Sequence, residues 1–140
     1  MSDPVRIGPK EAAEKMATGY TYVDVRTEEE FAAGHPAGAV NVPLMLTGPQ
    51  GMTPNARFGE VMGAAFPKNT PIVVGCKAGA RSLRAAKQLL LAGYTNVLDQ
   101  RAGWAGAHDP FGQVTEPGWV AAGLAIEEGH SEGYSPRARS

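Results

Sequence analysis

The sequence predicts an α/β fold, a mainly parallel sheet with helices on both faces. Three observations point there. Strand-like and helix-like segments alternate along most of the chain, the pattern of successive βα units. Ile72-Val73-Val74 is a continuous apolar run, as expected of a strand buried on both sheet faces. The 18 glycines and 11 prolines are scattered, not bunched, and so mark many tight connections between short elements. The 140 residues, 43% of them apolar, suit one domain, expected over 1–126. Residues 127–140 are nearly free of apolar side chains and read as a mobile tail.

Taken in order, Val5–Ile7 reads as a short first strand. Ala12, Ala13, Met16 and Ala17 recur at helical spacing, and Gly19 stops that helix. Tyr20, Tyr22, Val23 and Val25 make a strand rich in β-formers. Thr27-Glu28-Glu29-Glu30 has the form of a capping box, with Glu30 reaching back to Thr27, and Gly34 ends the short helix. Ala39–Val42 is a third strand closed by Pro43, and an irregular Gly- and Pro-rich loop follows from Leu44 to Pro54. Asn55 is the expected cap of a helix through Phe66, with Phe58, Val61, Met62 and Ala65 on one face. Pro71–Gly75 is the fourth strand. A helix from about Ser82 to Ala92 puts Leu83, Ala86, Leu89 and Leu90 on one face and stops at Gly93. Val97 and Leu98 belong to a fifth strand. Arg101–Trp119 sets two Trp and one Phe among Gly and Pro, an ordered loop packed on the body.

Composition narrows the function. With 13 basic and 14 acidic residues the net charge is −1, so nucleic acid is not the expected partner. No apolar run approaches the roughly 18 residues of a membrane span. Met1–Lys10 lacks the apolar core of a secretory leader, which leaves a cytoplasmic location as the expectation. One cysteine, Cys76, excludes an internal disulfide and a cysteine-only metal site in one chain. His35, His108 and His130 show no ligand-like spacing, so no metal and no cofactor are assigned.

Cys76-Lys77-Ala78-Gly79-Ala80-Arg81 joins the buried fourth strand to the helix near Ser82. A strand-to-helix loop can turn successive N–H groups inward and ends at a positive helix pole. Ala78, Gly79 and Ala80 lack bulk, so the backbone can curl around the thiol. Lys77 and Arg81 flank the sulfur with positive charge. All three features favour thiolate, the nucleophilic form of cysteine.

The motif Cys-x-x-Gly-x-Arg-Ser at 76–82 resembles the active-site loop of rhodaneses. Asp24-Val25-Arg26, Glu30-Phe31 and Gly34-His35-Pro36-Ala37-Gly38-Ala39-Val40-Asn41-Val42-Pro43 resemble that family's N-terminal signature, with Pro36 where the common form has Ile. Gly93-Tyr94, Asn96-Val97 and Gly103 resemble the stretch after the active-site helix. The resemblance implies a three-layer α/β/α domain with a five-stranded, mainly parallel sheet. It implies a sulfurtransferase in which Cys76 takes sulfane sulfur from thiosulfate or a persulfide donor. The sulfur then passes to cyanide, a small thiol or a protein thiol. Lys77, Ala78, Gly79, Ala80, Arg81 and Ser82 form the substrate loop, and Asp24, Arg26 and Glu30 support it. Either a monomer or a homodimer fits.

Two alternatives stand beside this reading. A non-catalytic binding module of the same family is one, and the intact Cys76, Lys77 and Arg81 speak against it. A phosphatase or arsenate reductase of the same architecture is the other. Four residues separate Cys76 from Arg81, whereas the related phosphatases carry a longer loop, and a tighter ring suits one sulfur atom better than a tetrahedral phosphate. Arsenate reduction would also lack an internal resolving cysteine. Asp24 either bonds the loop or simply pairs with Arg26, and Arg26 is also placed to meet Glu30 four residues on. His35 reads as structural, bonding backbone in a Gly-rich turn. Trp104, Phe111 and Trp119 either cap the core or wall the pocket.

Overall fold

The computed structural model describes residues 3–129. Its strands are β1 (Val5–Ile7), β2 (Thr21–Asp24), β3 (His35–Pro36), β4 (Val40–Asn41), β5 (Met45–Gly48), β6 (Gly51–Pro54), β7 (Ile72–Gly75), β8 (Val97–Gln100), β9 (Ala107–His108), β10 (Val114–Glu116) and β11 (Ile126–Glu127). Its helices are α1 (Pro9–Ala17), α2 (Glu28–Ala33), α3 (Phe58–Ala65) and α4 (Ala80–Leu91). Five strands form one sheet in the order β1-β8-β7-β2-β4, and every pairing in it is parallel.

The apolar run of β7 explains the layering. Ile72 and Val74 point to one face, where they meet Phe58, Val61 and Met62 of α3 and Ala85, Ala86 and Leu89 of α4. Val73 points to the other, with Ala12 of α1, Phe31 of α2 and Trp119. Alternation along a strand gives each face its own core. The result is the three-layer α/β/α arrangement with β7 in the centre.

Several local expectations change. The segment 44–54 is a hairpin, β5 against β6, in place of an irregular loop. Gly51 takes the left-handed conformation (φ +94°) next to the Pro49-Gln50 turn. Both strands are largely exposed, so no alternating apolar face advertises them. Asn55 does not cap α3, which starts at Phe58. Its side chain donates to the Pro43 carbonyl at 2.8 Å and accepts from the Arg57 N–H at 3.0 Å, closing the turn before the helix. The last helix begins at Ala80, two residues earlier than the spacing suggests, because Gly79 supplies the left-handed entry. Ile126–Glu127 pairs with His35–Pro36, so ordered structure runs past the expected boundary at 126. The rest of the expected tail, and His130, lie outside the described residues.

Trp119 is buried edge-on against Tyr22, with ring centroids 5.5 Å apart, and is core. Phe111, in the turn between β9 and β10, is 89% exposed and does not belong to the core. The capping box of α2 is present as the sequence predicts. His35 is stacked on Phe31 and bonds its carbonyl through Nδ1 at 2.7 Å.

Candidate active site

The C-terminal ends of β7, β2 and β8 come together because the three are parallel neighbours in register. Asp24 lies beside Gly75 and Val74 beside Asp99. In such sheets the crevice beyond the strand ends is where ligands bind. Cys76 follows the last residue of β7, and its side chain is buried. The loop wraps it. The Gly79 N–H points at Sγ from 3.1 Å. The thiol donates to the Ser82 hydroxyl oxygen at 3.4 Å, and that hydroxyl donates to the Gly79 carbonyl at 3.3 Å. Gly79 holds φ +105°, and a Cβ there would run into the carbonyl of Arg101 and the Arg6 guanidinium. Only glycine fits both the conformation and the space.

The loop is braced from below by the segment after β8. Trp104 and Ala105 donate their N–H groups to the Cys76 and Lys77 carbonyls, each at 2.8 Å. Gly103 (φ +64°) lets the two backbones approach this closely. Gln100, fully buried, shapes the turn by accepting from the Ala102 and Gly103 N–H groups at 2.8 and 2.9 Å.

Charge is distributed unequally around the sulfur. Arg81 is engaged by Glu30 in a two-pronged pair at 2.7 and 3.1 Å. Glu30 thus serves α2 as capping-box residue and α4 as counter-ion. Its partial burial opposes ionisation, but the hydrogen bonds from Arg81 and Thr27 prevail and hold the carboxyl at about 2. Arg26 does not meet Glu30. Its Nη2 donates to Asp24 at 2.7 Å and to the Gly34 carbonyl at 2.6 Å, and the Trp104 ring lies 4.8 Å over the guanidinium. Burial pushes the Asp24 carboxyl up, against the pull of Arg26. Lys77 is exposed and makes no ion pair among the described residues.

The structure therefore brings Cys76, Gly79 and Ser82 into direct contact. It places Lys77, Ala78 and Ala80 on the exposed rim, and holds Arg81 sideways through Glu30. Asp24 and Arg26 form a buried pair with each other, supported by Asn41, which donates to both of their carbonyls at 3.0 Å. Sequence reasoning missed Arg6, Asp99 and Gln100. A signal was present, because Asp99 and Gln100 are polar residues in a strand that must be buried to sit beside β7.

Comparison with known proteins agrees with this fold. Residues 8–109 match the model of the family described as Rhodanese-like domain. The chain is 42% identical over 101 residues to thiosulfate sulfurtransferase 16, chloroplastic, of Arabidopsis thaliana, a match covering 72% of this chain and 84% of that one. It is 43% identical over 103 residues to the senescence-associated protein DIN1 of Raphanus sativus, covering 74% of this chain and 54% of the relative. It is 35% identical over 121 residues to the thiosulfate sulfurtransferase GlpE of Haemophilus influenzae, covering 86% and 92%. Among solved structures, Rv0390 from M. tuberculosis superimposes with a TM-score of 0.75 at 29% identity, over 91% of this chain and 100% of that one.

Proposed function

We propose, on the premise that this chain belongs to the rhodanese-like domain family, that it moves sulfane sulfur through a persulfide on Cys76. The donor is thiosulfate or a persulfide, and the acceptor is cyanide, a small thiol or a protein thiol. One observation carries the reading. The cysteine sulfur sits at the centre of a loop whose Gly79 N–H points at it and whose Ser82 hydroxyl oxygen accepts from its thiol. The N–H suits a sulfur anion, and the hydroxyl is free to turn and donate to it once the thiol proton has gone.

The chemistry runs in two half-reactions. The Cys76 thiolate attacks the outer sulfur of thiosulfate, the donor's S–S bond breaks, and sulfite departs with the bonding pair. Cys76 then carries that sulfur in a new S–S bond. The acceptor attacks the outer sulfur, and the Cys76 thiolate leaves with its electron pair, ready for another donor. Lys77, exposed at the rim, draws the dianionic donor and offsets charge on departing sulfite. No general base acts on the substrate.

Intact-mass spectrometry tests the reading. Thiosulfate should add the mass of one sulfur atom to the wild-type chain, and cyanide should remove it as thiocyanate. The Cys76→Ser protein should keep its fold and take up nothing. A folded wild-type chain that gains no sulfur, or a Ser variant that still turns over, would falsify the proposal.

A further inference from the structure

Asp99 is a fully buried carboxylate for which the sulfur-transfer chemistry has no use. It lies on β8 in register with Arg6 on the edge strand β1. Its Oδ2 accepts from Arg6 Nε at 2.6 Å, while Oδ1 has no hydrogen-bond partner among the described residues. An unsatisfied buried carboxylate oxygen is costly to keep. What the pair touches gives it a purpose. Arg6 sends a second donor, Nη2, to the Gly79 carbonyl at 3.0 Å. That carbonyl is also the acceptor of the Ser82 hydroxyl. Among the described residues, Gly79 and Ser82 hydrogen-bond the Cys76 sulfur. Ser82 stands beside the Asp99 carboxyl as well. Burial pushes that carboxyl up, and Ser82 and Arg6 pull it down.

We propose that Arg6 and Asp99 are positioning residues that favour the anionic form of the Cys76 sulfur by acting through Gly79 and Ser82. Two effects combine. A carbonyl already satisfied by a guanidinium competes less for the Ser82 hydrogen. Once the sulfur has lost its proton it can no longer donate to Ser82, and the freed hydroxyl turns to donate to it. Arg6 also compensates the Asp99 charge, which alone would oppose a second anion behind the loop. Asp99 in return holds the Arg6 side chain, 36% exposed, in an orientation that reaches Gly79. The inference rests on reading Cys76 as the reacting sulfur, but its test needs no turnover.

The test is the pH profile of Cys76 alkylation by iodoacetamide, which reads the thiolate alone. Lys77 on the loop, Arg81 on α4, Tyr22 and Asp24 on β2, and Arg26 bound to Asp24 are the other ionisable groups around the sulfur, with Glu30 of α2 behind Arg81. All stay unchanged in the variants, so a shift reports Arg6 and Asp99. In Arg6→Met the midpoint should rise by about one pH unit, because a bare carboxylate now lies behind the loop. In Arg6→Met/Asp99→Asn that charge is gone but the Gly79 carbonyl still lacks its donor, so the midpoint should stay about half a unit above wild type. If the single variant does not fold, the double variant decides. A wild-type midpoint in the variants that fold overturns the proposal and makes the pair a plain brace between β1 and β8. Shifted midpoints in a protein that takes no sulfur from thiosulfate would instead retain this inference and remove the sulfurtransferase reading.

Discussion

Lys77 and Arg81 are both cations of the cysteine loop, yet they stand in different situations. Arg81 is locked to Glu30, whereas Lys77 is exposed and unpaired among the described residues. On the proposed sulfur-transfer reading, Lys77 is therefore the residue to deliver a dianionic donor. Lys77→Ala should raise the thiosulfate KM about two- to fivefold, the range of a partly solvated charge contact, with a smaller effect on kcat. Added salt should shrink the difference, since screening weakens the wild-type contact. Equal KM values at low ionic strength would reduce Lys77 to a solvated side chain.

At the scale of elements, one carboxylate ties two helices together. Glu30 caps α2 and holds Arg81 in the first turn of α4, the helix that opens at the sulfur. Its carboxyl is held at about 2, below its ordinary 4.5. A depressed carboxylate stabilises the fold above its unfolded value, and that contribution fades as pH drops from about 4.5 toward 2. Glu30→Gln should thus destabilise the protein at pH 7 but match wild type near pH 2, a comparison made by urea titration at both pH values. A constant gap would assign the loss to the cap geometry alone. The second element-scale contact is Gly103 under the loop. Gly103→Ala puts a methyl against the Cys76 and Lys77 carbonyls at φ +64°. It should cost about 1–3 kcal/mol of stability, and the lifted loop should slow Cys76 alkylation.

For the whole molecule, the helical layer with Trp119 closes one face of the sheet. Trp119 is 2% exposed, touches Tyr22, and donates from Nε1 to the Ala125 carbonyl at 2.8 Å. It therefore links the core to the segment that leads into β11, whose Glu127 receives the Gly38 N–H at 2.9 Å. Trp119→Ala should cost about 3–5 kcal/mol, a large share of the roughly 5–15 kcal/mol that holds a domain. Thermal unfolding should show the loss as a drop in Tm. A near-wild-type Tm would mean that the ring is not the keystone of that face.

The α/β class, the positions of the main strands along the chain, the capping box and the cysteine loop were legible in the sequence, because each depends on residues close together in the chain. A capping box spans four residues, and a curled strand-to-helix loop is built from its own glycine and small side chains. The hairpin at 45–54 was hidden because both of its strands face solvent and carry no periodic signal. Partner choice belonged to the tertiary structure. Glu30 had Arg26 four residues away, yet pairs with Arg81, 51 residues on, because the buried Asp24 had already claimed Arg26. Arg6 and Asp99 are 93 residues apart and meet only because β1 lies beside β8. Local backbone preference selects the elements, whereas burial of charge forces each ionised group to whatever counter-ion the packed fold brings within reach.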